Sequence, residues 1–145
     1  MTKQFPLFFE IEASSESGID KNWVAKNTDS DPVPIAIPPE FSGPGKGYSP
    51  EDLFAMACVN CMIATFKVYA QHANIQFQNI TARATVTVDK DLSAHCLCMS
   101  NIDVTFTLKA PSPAEKAKLT LEKAIKDCAV CNSIKSVKSY HINIE

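Results

Sequence analysis

The sequence predicts an α+β fold in which antiparallel sheets pack on one long, buried central helix. The first observation is an uncharged run over residues 53–63 that follows a helix start signal. The second is the order of the other segments, since strand patterns precede this helix and two strands, a helix and a final strand follow it. The third is size. A chain of 145 residues without a repeat or linker fits a single domain over residues 1–145.

Composition excludes several classes of protein. Hydrophobic residues make up 46% and charged residues 21% of the chain, which supports an ordinary core and argues against disorder. The net charge is -2 and Arg83 is the single arginine, so no basic patch is available and we expect no nucleic-acid partner. The first six residues lack the basic segment and apolar run of a signal peptide, so we expect a cytoplasmic location.

The segment before the central helix predicts short extended elements. Alternating apolar residues favour strands, whereas prolines confine a strand to a sheet edge and glycines mark a loop. We expect strands over 5–13 and 23–27, turns over 14–18 and 29–31, an edge segment over 32–39, and a glycine-rich loop over 40–48.

The central helix has a clear start. Ser49 is a good N-cap, Pro50 suits the first helical position, and Glu51 and Asp52 place negative charge where the helix dipole favours it. The helix is expected to end at about residues 73–74. Because it is apolar on every face, we expect it to be buried. We also expect it to be too short, and too closely flanked by charge, to cross a membrane. One sheet covers only part of such a helix, so we predict a homodimer with this helix in its interface.

The rest of the chain alternates between strand and helix patterns. Period-two segments predict strands, and Ser112 to Glu115 is typical of a capping box with proline at the first helical position. We expect strands over 80–89 and 102–108 joined by a connection over 90–98, a helix after residue 113, a short helical piece over 129–135, and a final strand over 137–144.

Two C-x-x-C pairs carry the candidate chemistry: Cys58 with Cys61 in the central helix, and Cys128 with Cys131 near the end of the chain. Four thiolates could hold a structural zinc ion, but zinc pairs usually lie on turns and we expect mid-helix thiols to converge less easily. Free cysteine is also an ordinary small core residue. The third interpretation is thiol redox chemistry, which needs two thiols on packed helices and a group that helps a buried thiol to ionise.

Redox chemistry of this kind suits the apolar surroundings. A thiolate that attacks a hydroperoxide becomes a sulfenic acid, and a second thiol then closes a disulfide that protects it from further oxidation. Organic hydroperoxides are apolar molecules and fit an apolar pocket. In a reducing compartment, the six cysteines are more consistent with reactive, metal-binding or buried thiols than with a disulfide framework.

Residues 43–55 together with residues 61–64 resemble the central motif of the OsmC/Ohr family of hydroperoxide-reducing proteins. Residues 128–133, Cys-Ala-Val-Cys-Asn-Ser, resemble that family's second motif, which typically reads C-P-x-S-N. The order of elements matches along nearly the whole chain. The two motifs at this separation are fairly specific to the family.

The resemblance implies roles for individual residues. Cys61 aligns with the family's peroxidatic cysteine, Cys128 with its resolving cysteine, and Glu51 with the glutamate that positions an active-site arginine. It also implies an intertwined homodimer with active sites at the subunit interface. The implied substrates are organic hydroperoxides and the implied reductants are dithiols such as lipoylated proteins. We expect no cofactor and no metal.

The sequence departs from the family pattern at several positions. The arginine expected within residues 14–27 is missing, and Lys21 or Lys46 could supply positive charge only without the planar fork of a guanidinium. Cys131 replaces the serine of the second motif, and Cys58 is an additional thiol; either is a possible auxiliary resolving partner. The missing arginine supports an alternative: a non-catalytic relative that binds an apolar ligand or acts as a thiol redox sensor.

Overall fold

A computed structural model describes residues 4–145 and divides into two compact units, one ending at Leu53 and one running from Phe54 to Glu145. The first unit contains a three-stranded antiparallel sheet in the order β1-β2-β3. Its elements are β1 (Glu12–Ser14), β2 (Trp23–Lys26), β3 (Val33–Ile35) and a single 3₁₀ turn (Pro39–Phe41).

The first strand is shorter than predicted. The sequence favoured a strand over 5–13, but only Glu12–Ser14 pairs, and Ser14 lies in the strand instead of the expected turn. The reason is that β2 has four residues and offers a partner only between Val24 and Lys26. The apolar side chains that precede β1 are therefore left exposed: Phe5, Leu7, Phe8, Phe9 and Ile11.

The glycine-rich loop and the helix start form as predicted. Gly43 has no room for a side chain, because a Cβ atom there would lie 2.0 Å from the Ile37 carbonyl oxygen. Ser49 caps the helix: its Oγ accepts from the Asp52 N–H at 3.0 Å, and its own N–H donates to Asp52 Oδ2 at 2.9 Å. This reciprocal pair satisfies backbone donors that would otherwise lack a partner at the helix N-terminus.

The second unit packs helices against one sheet in the order β4-β5-β6. Its elements are α1 (Pro50–His72, whose first turn belongs to the first unit), β4 (Asn79–Asp91), β5 (Cys96–Lys109), α2 (Ala114–Lys126), α3 (Ala129–Asn132) and β6 (Val137–Ile144). The α+β class with a central helix is confirmed. The expected antiparallel pairing holds for β4 and β5, whereas β6 pairs with β5 in parallel. The connection through α2 and α3 returns the chain to the same end of the sheet, as parallel pairing requires.

Two local predictions in this unit are wrong. The connection expected over 90–98 is shorter, because β4 and β5 continue pairing to Asp91 and Cys96, so Cys96 and Cys98 lie on a strand and not in a loop. Pro113 is the N-cap of α2 and makes no side-chain cap, so the predicted capping box at Ser112 does not form. Ser112 instead exchanges backbone hydrogen bonds with Gln76.

α1 buries one face and not its whole circumference. The buried residues, Cys58, Met62, Phe66 and Ala70, recur every four positions and pack against the inner face of β5 and against α2. That stripe is the period expected of a helix with one core-facing side. Val68, on another face, is 52% exposed. The protomer therefore covers only part of α1, as expected for one sheet, and burial of the rest by a second copy stays a prediction.

The length of α1 also corrects an expectation. At 23 residues, with a mean hydropathy of 1.6 over its most apolar window, α1 is long and apolar enough to cross a membrane by length and composition. The prediction counted only the uncharged run and so judged the helix too short. This likeness is weak evidence for a membrane span, because the core helix of a soluble protein has the same length and composition.

The end of α1 follows from Asn74, which adopts the left-handed conformation with φ of 53°. The Ile75 N–H donates to the Ala70 carbonyl at 2.9 Å and the Asn74 N–H to the Gln71 carbonyl at 3.3 Å. These two bonds form a Schellman motif, which satisfies the last carbonyls of the helix. The helix thus ends within two residues of the predicted position.

Candidate active site

All four cysteines of the two C-x-x-C pairs converge in the second unit. Cys61 and Cys128 are in side-chain hydrogen-bond contact, and Cys58 and Cys131 form a second such contact. Cys128 also contacts Cys131. We call these four residues the thiol cluster.

The short helix α3 places two members of the thiol cluster. Cys128 is its N-cap, and the Cys128 Sγ accepts from the Cys131 N–H at 3.4 Å. The same Sγ lies 4.0 Å from the Cys58 carbonyl oxygen, to which it donates. The helix start at Cys128 therefore aims its sulfur, together with the first backbone N–H groups of α3, toward the middle of α1.

Cys61 is the activated thiol of the cluster. Burial raises the pKa of Cys61, but this effect is outweighed by hydrogen bonds from the Val130 backbone, the Cys128 thiol and the Ala129 backbone, with a smaller contribution from the nearby Thr65 hydroxyl. The Thr65 hydroxyl donates its proton to the Cys61 carbonyl oxygen at 2.9 Å. The net result is a pKa below that of an ordinary cysteine. Donors that point at a sulfur stabilise the thiolate, which is the nucleophilic form. Cys61 is also half-buried, so a small molecule can reach it.

The pKa of each of the other three thiols is raised above that of an ordinary cysteine. Burial raises the pKa of Cys58, of Cys131 and of Cys128, the last to about 12. All three are at most 2% exposed. Tyr140 on β6 contacts Cys131, and burial together with the neighbouring thiols raises the pKa of its hydroxyl. These groups stay protonated at neutral pH, so Cys61 is the first thiol of the cluster to ionise as pH rises.

Among the described residues of the first unit, neither Lys21 nor Lys46 forms an ion pair with Glu51. Lys21 is half-exposed and pairs with Asp20 at 3.6 Å, and Lys46 is exposed on the glycine-rich loop. Arg83 lies exposed on β4, as its strand pattern predicted. The Glu51 Oε2 is buried without a hydrogen-bond partner among residues 4–145. A buried carboxylate oxygen of this kind is costly unless a donor reaches it.

Three contributors to the site were missed from the sequence. Thr65 lies one turn after Cys61, a spacing that could have identified it, since residues four apart share a helix face. The backbone N–H groups of Ala129 and Val130 carry no sequence signal, except that a short helix starting at Cys128 must present unpaired donors. Among the described residues, no group of three or more His, Cys, Asp or Glu side chains is arranged to hold a metal ion.

Comparison with known proteins identifies the family. The sequence model of the OsmC-like proteins matches residues 43–143, which is well over half of the chain. The chain belongs to the OsmC-like protein family. The match includes both cysteine motifs, so the resemblance noted from residues 43–64 and 128–133 is confirmed.

Solved structures of this family share the fold. An OsmC-like protein from Vibrio cholerae matches with a TM-score of 0.82 at 12% identity, covering 94% of this chain and 99% of that one. An organic hydroperoxide resistance protein OsmC from Legionella pneumophila matches with 0.68 at 17% identity, covering 97% and 99%. The organic hydroperoxide resistance protein OhrB of Bacillus subtilis matches with 0.63 at 19% identity, covering 94% and 98%. At these identities the likeness shows the fold alone.

No curated protein matches the sequence significantly.

Proposed function

We propose that this protein is a cytoplasmic, cysteine-based hydroperoxide reductase that uses Cys61 as peroxidatic and Cys128 as resolving cysteine in defence against oxidative stress. The observation that carries the proposal is the donor set around Cys61, which lowers its pKa while burial raises the pKa of Cys128, its contact partner. A thiolate next to a protonated thiol is the arrangement that a two-cysteine peroxidase needs.

The first step is an attack by the Cys61 thiolate on the terminal oxygen of the hydroperoxide. The S–O bond forms as the O–O bond breaks, the alkoxide leaves and takes up a proton, and Cys61 is oxidised to a sulfenic acid. The N–H groups of Ala129 and Val130 hold the thiolate before the attack. They face the reacting sulfur and can also donate to the charge that develops on the leaving oxygen.

Cys128 resolves the sulfenic acid. Its sulfur attacks the Cys61 sulfur, water leaves with the thiol proton, and a Cys61–Cys128 disulfide forms. The two side chains already contact each other, so closure needs little movement of α1 or α3. A dithiol reductant, such as a lipoylated protein, returns both cysteines to the reduced state by exchange.

The donor set takes the place of the missing arginine. In the family motif the residue after the resolving cysteine is typically proline, which has no N–H, whereas this chain has Ala129 and therefore one more donor directed at Cys61. Glu51 lies in the first turn of α1 with a buried, unpaired oxygen. We propose that Glu51 organises the pocket by accepting a hydrogen bond from a group outside this protomer.

A homodimer would supply such a group and cover the apolar surface of the protomer. Several apolar side chains of α1 and of the segment before β1 are exposed, among them Val68 at 52%, Phe8 at 82% and Phe9 at 90%. Large apolar side chains exposed in this way are expected to be covered by another chain. Sedimentation velocity should give the mass of two chains. Val68→Asp should shift the species toward the monomer, whereas Lys118→Asp, on the exposed face of α2, should not.

The function is tested by mixing the reduced protein with one equivalent of cumene hydroperoxide and counting thiols, with disulfides mapped on peptides. The proposal predicts rapid loss of two thiols and a Cys61–Cys128 linkage. No thiol loss over minutes would contradict it and would favour the second candidate. That candidate is a non-catalytic thiol sensor or apolar-ligand protein, which the absence of an active-site guanidinium favours. A sensor would be oxidised once and would not turn over with any dithiol.

A further inference from the structure

The thiol cluster contains two contact pairs, and the proposed function uses only one of them. Cys58 lies one turn before Cys61 on α1, and Cys131 lies one turn after Cys128 on α3. The second pair therefore repeats the contact of the first pair, one turn away along both helices. Cys58 is 0% and Cys131 is 2% exposed, so neither is accessible to an external dithiol.

Contacts connect the two pairs. Cys131 donates its N–H to the Cys128 Sγ at 3.4 Å, and its own sulfur contacts both Cys128 and Cys58. Cys128 also lies 4.0 Å from the Cys58 carbonyl oxygen. Cys131 stands where the family motif typically has serine, which can form the same hydrogen bonds but cannot form a disulfide. The substitution adds redox capacity without adding a new polar contact.

We propose that Cys58 and Cys131 are a second disulfide pair that receives the oxidising equivalents of the Cys61–Cys128 disulfide, so that each chain reduces two hydroperoxide molecules before it needs a reductant. This inference rests on the proposed function of Cys61 and Cys128. The Cys58–Cys131 dithiol would supply two further electrons, and it would exchange them only with the other thiols of the cluster.

The transfer takes two exchanges. First, the Cys131 sulfur attacks Cys128, the Cys61–Cys128 bond breaks, and Cys61 leaves as a thiolate while a Cys128–Cys131 disulfide forms. Second, the Cys58 sulfur attacks Cys131, and Cys128 leaves and takes up a proton as the Cys58–Cys131 disulfide forms. Each attacking thiol loses a proton and each leaving thiolate can accept one, so two electrons move between pairs with no outside co-reactant.

The order of events follows from the shifts described above. Cys61 is the best leaving group of the four, since its pKa is the one that is lowered, which favours the first exchange. The second exchange is slow, because burial raises the pKa of the attacking Cys58 and of the leaving Cys128. Thiol loss should therefore be biphasic. The slow phase should accelerate as pH rises, because the fraction of the attacking thiolate rises.

The test uses a Cys96→Ser/Cys98→Ser protein, which keeps only the four thiols of the cluster. With two equivalents of cumene hydroperoxide, all four thiols should be lost in two phases. The intact mass should fall by about 4 Da, two hydrogens for each disulfide. Peptide mapping should find a Cys58–Cys131 linkage. Adding Cys131→Ser, which restores the serine of the family motif, should stop the reaction at two thiols and one equivalent.

The outcomes separate this inference from the proposed function. Loss of two thiols with only a Cys61–Cys128 linkage, even after hours, would overturn the second pair and leave the function intact. If hydroperoxide removes no thiols, diamide, a direct oxidant of dithiols, is applied to the same protein. Linkages in both pairs after diamide would support the second pair while the function fails. A Cys61–Cys128 linkage without a Cys58–Cys131 linkage after diamide would overturn the second pair.

Discussion

Cys58 and Cys61 lie one turn apart on the same helix, yet the pKa of Cys58 is raised and the pKa of Cys61 is lowered relative to an ordinary cysteine. Burial raises the pKa of both, and for Cys58 nothing outweighs it, since its partner is another thiol. Cys61 faces the first turn of α3, where two backbone N–H groups and a thiol, together with the nearby Thr65 hydroxyl, bring its pKa below the ordinary value. The comparison shows that the position of donors, more than the apolar surroundings, selects the reactive cysteine.

The largest expected effect comes from removing the activated thiol. Cys61→Ser should lower the rate of cumene hydroperoxide consumption, with dithiothreitol as reductant, by at least about a hundredfold, because Cys61 is the one thiol of the cluster whose pKa is lowered. Cys98→Ser is the matched control, since Cys98 lies on β5 outside the cluster. Full activity in Cys61→Ser would show that Cys61 is not the reactive cysteine.

Removing the resolving thiol should separate attack from turnover. Cys128→Ser keeps a hydroxyl donor beside Cys61, so the first oxidation should keep a rate within about threefold, while steady-state turnover falls by about tenfold or more. Mass spectrometry should find Cys61 heavier by about 16 or 32 Da, as sulfenic or sulfinic acid. Undiminished turnover would mean that another thiol resolves Cys61.

One of the backbone donors to Cys61 can be removed by a substitution. Ala129→Pro deletes an N–H that points at Cys61, at a first helical position where proline is well tolerated. It should raise the pKa of Cys61, because one hydrogen bond to the thiolate is lost. Ala129→Ser keeps the N–H and should leave the pKa unchanged. Equal Cys61 pKa values in the two variants would show that the backbone N–H of residue 129 does not lower the pKa of Cys61.

The protonated thiols predict a loss of stability at alkaline pH. Burial raises the pKa of Cys128 from 9.0 in the unfolded chain to about 12 in the fold. The stability contributed by its protonated form is therefore present below pH 9 and lost as pH rises toward 12, by up to about 1.4 kcal/mol per pH unit. The urea midpoint should fall from pH 9 to pH 11, and less steeply in Cys128→Ser. A flat profile would contradict the burial of this thiol.

Elements with local signals were predictable from the sequence. Ser49, Pro50 and Asp52 fix the start of α1, and Asn74 fixes its end, because caps are formed by residues close in sequence. The prediction of a strand over 5–13 was wrong because pairing depends on the length of β2, which the residues of the segment itself do not determine. The parallel pairing of β6 likewise follows from the path of the chain and not from its alternation.

The cysteines of the candidate site were predictable from the sequence, whereas the groups that lower the pKa of Cys61 were not. The spacing of Cys58 with Cys61, and of Cys128 with Cys131, indicated two thiol pairs, and the family motifs named Cys61 and Cys128. The sequence directed attention to a missing side-chain cation. The structure places backbone donors at Cys61 instead, and no residue type encodes those.

The central claim is that Cys61 is the most acidic thiol of the cluster, because the first turn of α3 directs donors at its sulfur. Its most direct test is the rate of iodoacetamide alkylation of each cysteine in the reduced protein as a function of pH, resolved by peptide mass spectrometry. Cys61 should be alkylated with an apparent pKa below that of an ordinary cysteine, while Cys58, Cys128 and Cys131 stay unmodified up to pH 9. An ordinary or raised pKa for Cys61, or earlier alkylation of Cys58, would contradict the account.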